Sequence, residues 1–315
     1  MSAAIRVLRS PPDDGGALEI DRATYTTTPE RTMTITTQNP STAQAPKTAG
    51  SFEVRALEPT LGGAVTNLDL HAPLDTTRIA ALRAALLERK VLVFRGQSLA
   101  PEELVRFAAY FGEPFESPDY AYGHYEGHDK IAKIGPSPVG SRPSNWHQGG
   151  TWKANPWAFE MLQLAVVPPV GGATLYADLQ AAYRDLSTPL QQLVSSLRAA
   201  HSKQVKPIAR GQYDASDVVE HPLVLTHPET GVKGLYLTSR ITHLVGIPRP
   251  ESDALLSFLR QHASGVNYQY RNHWNAGDLV IWDNRSVWHY AVDDYGDQER
   301  WGLKISIEGG DWRPN

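Results

Sequence analysis

Residues 158–177 read AFEMLQLAVVPPVGGATLYA, two apolar runs parted by Pro168-Pro169 and Gly171-Gly172. Runs this short, closed off by turn-forming residues, read as strands: Pro and Gly interrupt any helix that tries to continue through them. Working outward, the same pattern recurs at 130–134, 223–226, 234–237, 279–282 and 303–307. Many short strands between Gly/Pro turns predict a mainly β fold, a β-sandwich or jelly roll (double-stranded β-helix), with helices packed outside it. Helices are expected at 76–89, where Ile79, Leu82, Leu86 and Leu87 share a face, and from Pro101 to about Phe111. Two further helical inserts are expected at 189–200 and 251–263, and a buried strand at 91–94.

The first 50 residues differ from the rest. The stretch 24–50 is rich in Thr, Pro and Ala and poor in large apolar side chains, so it cannot offset its ordering entropy by burial. We read 1–50 as a disordered tail, within which Met33 offers an alternative start, and 51–315 as a jelly-roll catalytic domain. A formal net charge of -4 without a dense Lys/Arg stripe gives no footprint for nucleic acid. No apolar run reaches the ~18 residues of a membrane span, and the N-terminus lacks a signal-peptide plan, so the reading is cytoplasmic. The chain has no cysteine, which excludes disulfides, thiolate-bound metals and a cysteine nucleophile. Any metal must sit on His, Asp or Glu.

Three segments carry chemistry: Asn145-Trp146-His147-Gln148-Gly149-Gly150-Thr151-Trp152, Gly171-Gly172-Ala173-Thr174-Leu175, and Trp282-Asp283-Asn284-Arg285 through His289-Tyr290-Ala291 to Arg300. Two histidines far apart in sequence can meet at the mouth of a jelly roll, and neutral imidazoles suit ferrous iron. An arginine eleven residues after the second His offers a planar fork for a carboxylate. With eleven histidines in the chain the pair alone is a weak signal, and His289 serves equally well as a rim histidine satisfied by Asp283.

The order of these blocks is more specific. From about Phe52 to Trp312 the chain resembles the TauD/TfdA family of Fe(II)/2-oxoglutarate-dependent oxygenases, whose fold is cupin-like. The resemblance runs through residues 62–70, Val93-Phe94-Arg95-Gly96-Gln97, Asn145-Trp146-His147, Pro169-Val170-Gly171-Gly172-Ala173-Thr174, His221-Pro222-Leu223-Val224 and the block from Trp282 to Arg300. It implies that His147 and His289 ligate Fe(II), that Arg300 and Thr174 hold the distal carboxylate of 2-oxoglutarate, and that O₂ is the second co-substrate. Trp146 and Trp282 are read as core ahead of site wall.

The chain departs from the family at one ligand. Where the family has His-x-Asp, this sequence has His147-Gln148-Gly149, and glycine offers the metal nothing. Gln148 is a poor substitute, because alternation along a strand turns it away from the side His147 faces. Three readings follow: chloride fills the vacancy as in non-haem iron halogenases, and the substrate is chlorinated; water or a nearby carboxylate fills it, and the substrate is hydroxylated; or the site is disabled and the protein only binds. Halogenation leads narrowly. For the substrate, Lys304 and Tyr120 match substrate-contacting positions of taurine-oxidising relatives, with a surface lysine the equal alternative for Lys304. The position of those relatives' substrate histidine falls near Ser117, which argues against taurine itself. Residues 119–128 read as a loop able to cover the pocket, with His124 and His128 in it. The expected partner is a small anionic or zwitterionic molecule, with self-association into a homo-oligomer open.

Overall fold

The computed structural model describes residues 52–116, 123–135, 144–203 and 218–309, and the backbone of two short strands between 203 and 218. The expected tail at 1–50, Ser117 and Tyr120 lie outside the described residues. Strands β1 (Glu53–Ala56) and β2 (Gly63–Thr66) lead into α1 (Thr76–Arg89), β3 (Val91–Phe94) and α2 (Pro101–Ala109). Then come β4 (His124–Tyr125), β5 (His128–Ile134), β6 (Trp157–Val166) and β7 (Thr174–Asp178). An insert follows, made of α3 (Leu179–Arg184), α4 (Thr188–Ser195), β8 (Arg198–Ser202), β9 (Pro207–Ile208), β10 (Gln212–Tyr213), β11 (Val218–Pro222), β12 (Val224–Thr226), β13 (Lys233–Leu235), β14 (Ile241–Leu244) and α5 (Arg249–Ala263). The chain returns through β15 (Gln269–Asn272), β16 (Leu279–Asp283), β17 (Val287–Ala291) and β18 (Trp301–Glu308).

Two sheets make the jelly roll. The larger has the order β1-β2-β3-β16-β6-β18-β5-β4, and the smaller is β15-β7-β17. Alternation along the strands separates two cores. Val91, Val93, Leu162, Val280 and Trp282 of the large sheet pack on Tyr176, Tyr270 and Val287 of the small one. The opposite face of the large sheet, with Leu92, Phe94, Met161 and Ile281, is covered by Leu82 and Leu86 of α1 and Leu104 and Phe107 of α2. β6 is therefore covered on both faces, which is why it reads as an almost continuous apolar run. Its two polar residues go to opposite faces: Glu160 lies on the inner face, beside Ser306 of β18 and Trp282 of β16, and Gln163 bonds the Leu99 backbone on the outer one.

Helix α1 begins where Asp75 accepts a hydrogen bond from the Arg78 amide (2.8 Å) and stops at Lys90, which takes a left-handed conformation (φ 64°). The helix expected over 189–200 is shorter than the sequence suggests. It ends at Ser195, and Arg198–Ser202 instead forms β8, held between β11 and β14. The Ala199-Ala200 pair favours a helix locally; two flanking strands override that preference.

Candidate active site

His289 sits at the centre of β17, and His147 joins it from outside the regular strands through a two-way backbone bridge. The His147 amide donates to the His289 carbonyl (3.0 Å) and the His289 amide to the His147 carbonyl (2.9 Å). The bridge brings the two imidazole rings to 4.0 Å between centroids. Nδ1–H of His147 donates to the Asn145 carbonyl (2.9 Å), which leaves Nε2 with its lone pair, the form in which an imidazole can take a metal. Burial pushes the His147 imidazole below its usual pKa. Burial, then the charges of His147 and Lys304, push His289 well below. Both rings are thus neutral near pH 7, the state a metal requires. The alternative that Asp283 satisfies His289 does not hold: Asp283 is taken by Arg285 and by His227 (Nε2 to Oδ2, 2.9 Å). Nδ1 of His289 is buried and has no hydrogen-bond partner among the described residues.

Arg300 precedes β18 and Thr174 opens β7, and the fold brings them together as the sequence predicts. Arg300 Nε donates to the Gly172 carbonyl (3.0 Å), and its Nη2 reaches the Thr174 hydroxyl (3.5 Å). The same hydroxyl accepts from Trp274 Nε1 (3.0 Å). Gly172 has φ +67°, and a Cβ there would press on the Arg300 side chain at 3.1 Å, so the close approach requires glycine. Trp282 is core, as expected, but its ring also stands 4.8 Å from that of His289. Trp146 is half-buried and stacks on Trp288 at 5.1 Å.

The vacancy expected beside Gly149 is not vacant. A Cβ on Gly149 would lie 2.5–2.6 Å from the carboxyl atoms of Glu160, which reaches in from β6. Glu160 is completely buried. Its Oε1 pairs with Lys304 and accepts from the Ser306 hydroxyl (3.3 Å), while its Oε2 has no hydrogen-bond partner among the described residues. Lys304 is accordingly an inward-facing residue paired with Glu160 and not a surface lysine. Gly149 itself is clamped by Asn284, whose side chain accepts from the Gly149 amide (2.9 Å) and donates to its carbonyl (2.8 Å). Gln148 points elsewhere, donating to the Asn284 carbonyl (2.7 Å).

Sequence reasoning named Asn284 only as part of a motif block, and it missed Glu160, Trp274 and Tyr176, whose buried hydroxyl lacks a hydrogen-bond partner among the described residues. The sequence marks Glu160 only as the one acidic residue of apolar β6, with no spacing that assigns it a role. His124 and His128 lie on β4 and β5, and His128 is 3.5 Å from Glu102. No group of three His, Asp or Glu side chains among the described residues is already gathered as a metal site. The donor set nevertheless suits ferrous iron: two neutral imidazoles, one with its Nε2 lone pair available, and a buried carboxylate oxygen with no hydrogen-bond partner among the described residues.

Comparison with known proteins agrees with this architecture. The model of the taurine catabolism dioxygenase TauD, TfdA family matches residues 53–305. An alkylsulfatase from Acinetobacter baylyi is 33% identical over 292 residues, covering 88% of this chain and 89% of the relative. An alpha-ketoglutarate-dependent sulfate ester dioxygenase from Pseudomonas putida is 32% identical, covering 86% and 94%. Among solved structures, a putative alpha-ketoglutarate-dependent taurine dioxygenase from Burkholderia xenovorans superposes with a TM-score of 0.74 at 36% identity, over 82% of this chain and 93% of that one. AAD-2, in complex with Mn(II) and N-oxalylglycine, gives 0.73 at 27% identity, over 84% and 99%. The protein is thus a jelly-roll oxidoreductase. It belongs to the TauD/TfdA family of dioxygenases.

Proposed function

We propose that the protein hydroxylates a C–H bond of a small anionic molecule, using Fe(II), 2-oxoglutarate and O₂. The observation that carries the reading is the register of the small sheet: His289, bridged to His147, lies opposite Tyr176 of β7, two residues from Thr174, which Arg300 reaches. Ferrous iron with the keto acid would supply the O₂ activation that no side chain can. His147 and His289 would hold the metal through neutral imidazole nitrogens. Arg300 and Thr174 would orient the keto acid by its distal carboxylate.

The relatives' names point to anionic substrates, sulfate esters in the case of the Pseudomonas putida dioxygenase. Lys304 is the cation the family pattern suggests for such a group, but in this chain Glu160 neutralises it. Arg240 is a second cation close enough for its charge to act on His147; its guanidinium lies over Trp152 (5.5 Å) and donates to the Lys203 carbonyl (2.7 Å). We assign Arg240 to the substrate's anionic group. Chlorination loses its support, because the Glu160 carboxyl group occupies the space a halide would need beside Gly149.

A primary alkyl sulfate is the probe. Hydroxylation of the carbon bearing the sulfate yields an unstable product that collapses to an aldehyde and inorganic sulfate. 2-Oxoglutarate becomes succinate and CO₂, and each organic product takes one oxygen atom of O₂. The expected result with the Fe(II)-loaded protein is succinate and sulfate in equal amounts, with no chlorinated product when chloride is present. Iron-loaded protein that releases neither succinate nor sulfate, from this substrate or from phenoxyacetates, contradicts the reading. A product with a chlorine isotope pattern would restore halogenation.

A further inference from the structure

We infer that Glu160 is the third protein ligand of the metal, a carboxylate delivered from β6 into the place that Gly149 leaves open, with Lys304 as its positioning residue. The inference rests on the proposed iron site.

Four observations carry it. The first is spatial: the Glu160 carboxyl group fills the volume in which a side chain at 149 would begin, so the glycine is the room the glutamate needs. The second is the orphaned oxygen. A carboxylate with no solvent exposure is costly unless both oxygens are satisfied, yet Oε2 of Glu160 has no hydrogen-bond partner among the described residues. A cation is the partner such an oxygen lacks. The third is direction. Alternation places Glu160 on the same face of the large sheet as Leu162 and Lys304, opposite Trp282 in register, and the Trp282 ring stands against His289. The fourth is the backbone at 149, fixed by Asn284 through two hydrogen bonds so that the gap is held open. A two-His, one-carboxylate set is thereby restored from a different strand, in the oxygen-and-nitrogen chemistry ferrous iron prefers. Lys304 and Ser306 grip the other oxygen and fix the carboxylate's orientation, as outer partners of metal ligands do.

The test is metal affinity, measured calorimetrically with Mn(II) on the full chain in the presence of N-oxalylglycine. Wild type is compared with His147→Ala, Glu160→Gln, Lys304→Met, Glu160→Gln/Lys304→Met, and the relocated carboxylate Gly149→Asp/Glu160→Ala. A ligand role predicts that Glu160→Gln weakens Mn(II) by more than about 100-fold, beyond the usual loss of an outer partner. It also predicts that the double variant with Lys304→Met stays weak, and that Gly149→Asp/Glu160→Ala recovers to within about tenfold of wild type. Glu160→Gln binding Mn(II) as tightly as wild type, while His147→Ala loses it, overturns the inference and leaves the iron site standing. Glu160→Gln/Lys304→Met recovering wild-type affinity would reduce Glu160 to a counter-ion of Lys304 and likewise overturn it. Wild type that binds no Mn(II), or His147→Ala that binds it unchanged, overturns both readings. Should Glu160→Gln fail to fold, the relocated carboxylate decides: weak binding by a folded Gly149→Asp/Glu160→Ala protein contradicts the inference.

Discussion

Arg300 and a lysine would carry the same charge into the pocket, but only the guanidinium presents a flat fork able to meet both oxygens of a carboxylate while still donating to the Gly172 carbonyl. Arg300→Lys therefore keeps the charge and loses the geometry. A charge-assisted hydrogen bond is worth roughly 1.5–3 kcal/mol, so the KM for 2-oxoglutarate should rise by about 10- to 150-fold while the substrate's own KM changes little. Succinate release as a function of 2-oxoglutarate measures it; an unchanged KM would remove Arg300 from the keto-acid site. At this scale His147, His289, Thr174 and Arg300 were legible as candidates through the resemblance to the family's motifs, since by residue type alone two of eleven histidines are a weak signal. Glu160 was not, since a single carboxylate in an apolar strand has no spacing to announce it. Its neighbour at 149 lies eleven positions away in sequence and is met only after β6 has paired with β16 and β18.

Among the elements, the turn between β16 and β17 carries an unusual charge density. Asp283 receives Arg285 Nε (3.0 Å), the Arg285 amide (2.9 Å) and His227 Nε2, and Arg285 continues to Glu229 (2.9 Å). Burial alone would raise the Asp283 pKa, but Arg285 beside it and the hydrogen bonds from His227 and Arg285 overcome that and hold it far below the usual carboxylate range. The sign follows from linkage: a depressed carboxylate contributes stability in full above its unfolded pKa, about 3.9, and loses it as pH falls through the folded value. Asp283→Asn should cost roughly 1.5–3 kcal/mol at neutral pH by weakening the charged hydrogen bonds of buried Arg285, which keeps Glu229 as its other partner, and its stability should fall less steeply than wild type's in acid. Urea unfolding at several pH values tests both; a loss under ~1 kcal/mol would mean the network is dispensable. α1, from its helical spacing of apolar residues, and β3, from its bounded apolar run, were readable to the residue. β8 was not, because its strand state depends on β11 and β14 and not on its own residues.

For the whole molecule, the acid side of the stability curve should be shaped by buried histidine as well as by carboxylates. His201 is fully buried, neither ring nitrogen has a hydrogen-bond partner among the described residues, and its ring stacks on Tyr236 at 5.6 Å. Burial first, and His221 second, push its pKa well below the ordinary value. The unfolded chain then binds a proton that the folded one refuses, so stability falls as pH drops below about 6.5. His201→Phe, which keeps a stacked ring, should flatten the melting temperature between about pH 6.5 and 5 relative to wild type. An identical slope would place the acid sensitivity elsewhere. The jelly roll was legible from its turns and short apolar runs, and no helix among the described residues is long and apolar enough to cross a membrane.

The most direct measurement is a crystal structure of the protein grown anaerobically with Fe(II) and 2-oxoglutarate. The account predicts one metal ion bound by Nε2 of His147, by His289 and by a Glu160 oxygen, with the keto acid's distal carboxylate against Arg300 and Thr174. An ion bound elsewhere, or imidazoles of His147 and His289 turned away from each other around an empty centre, would contradict it.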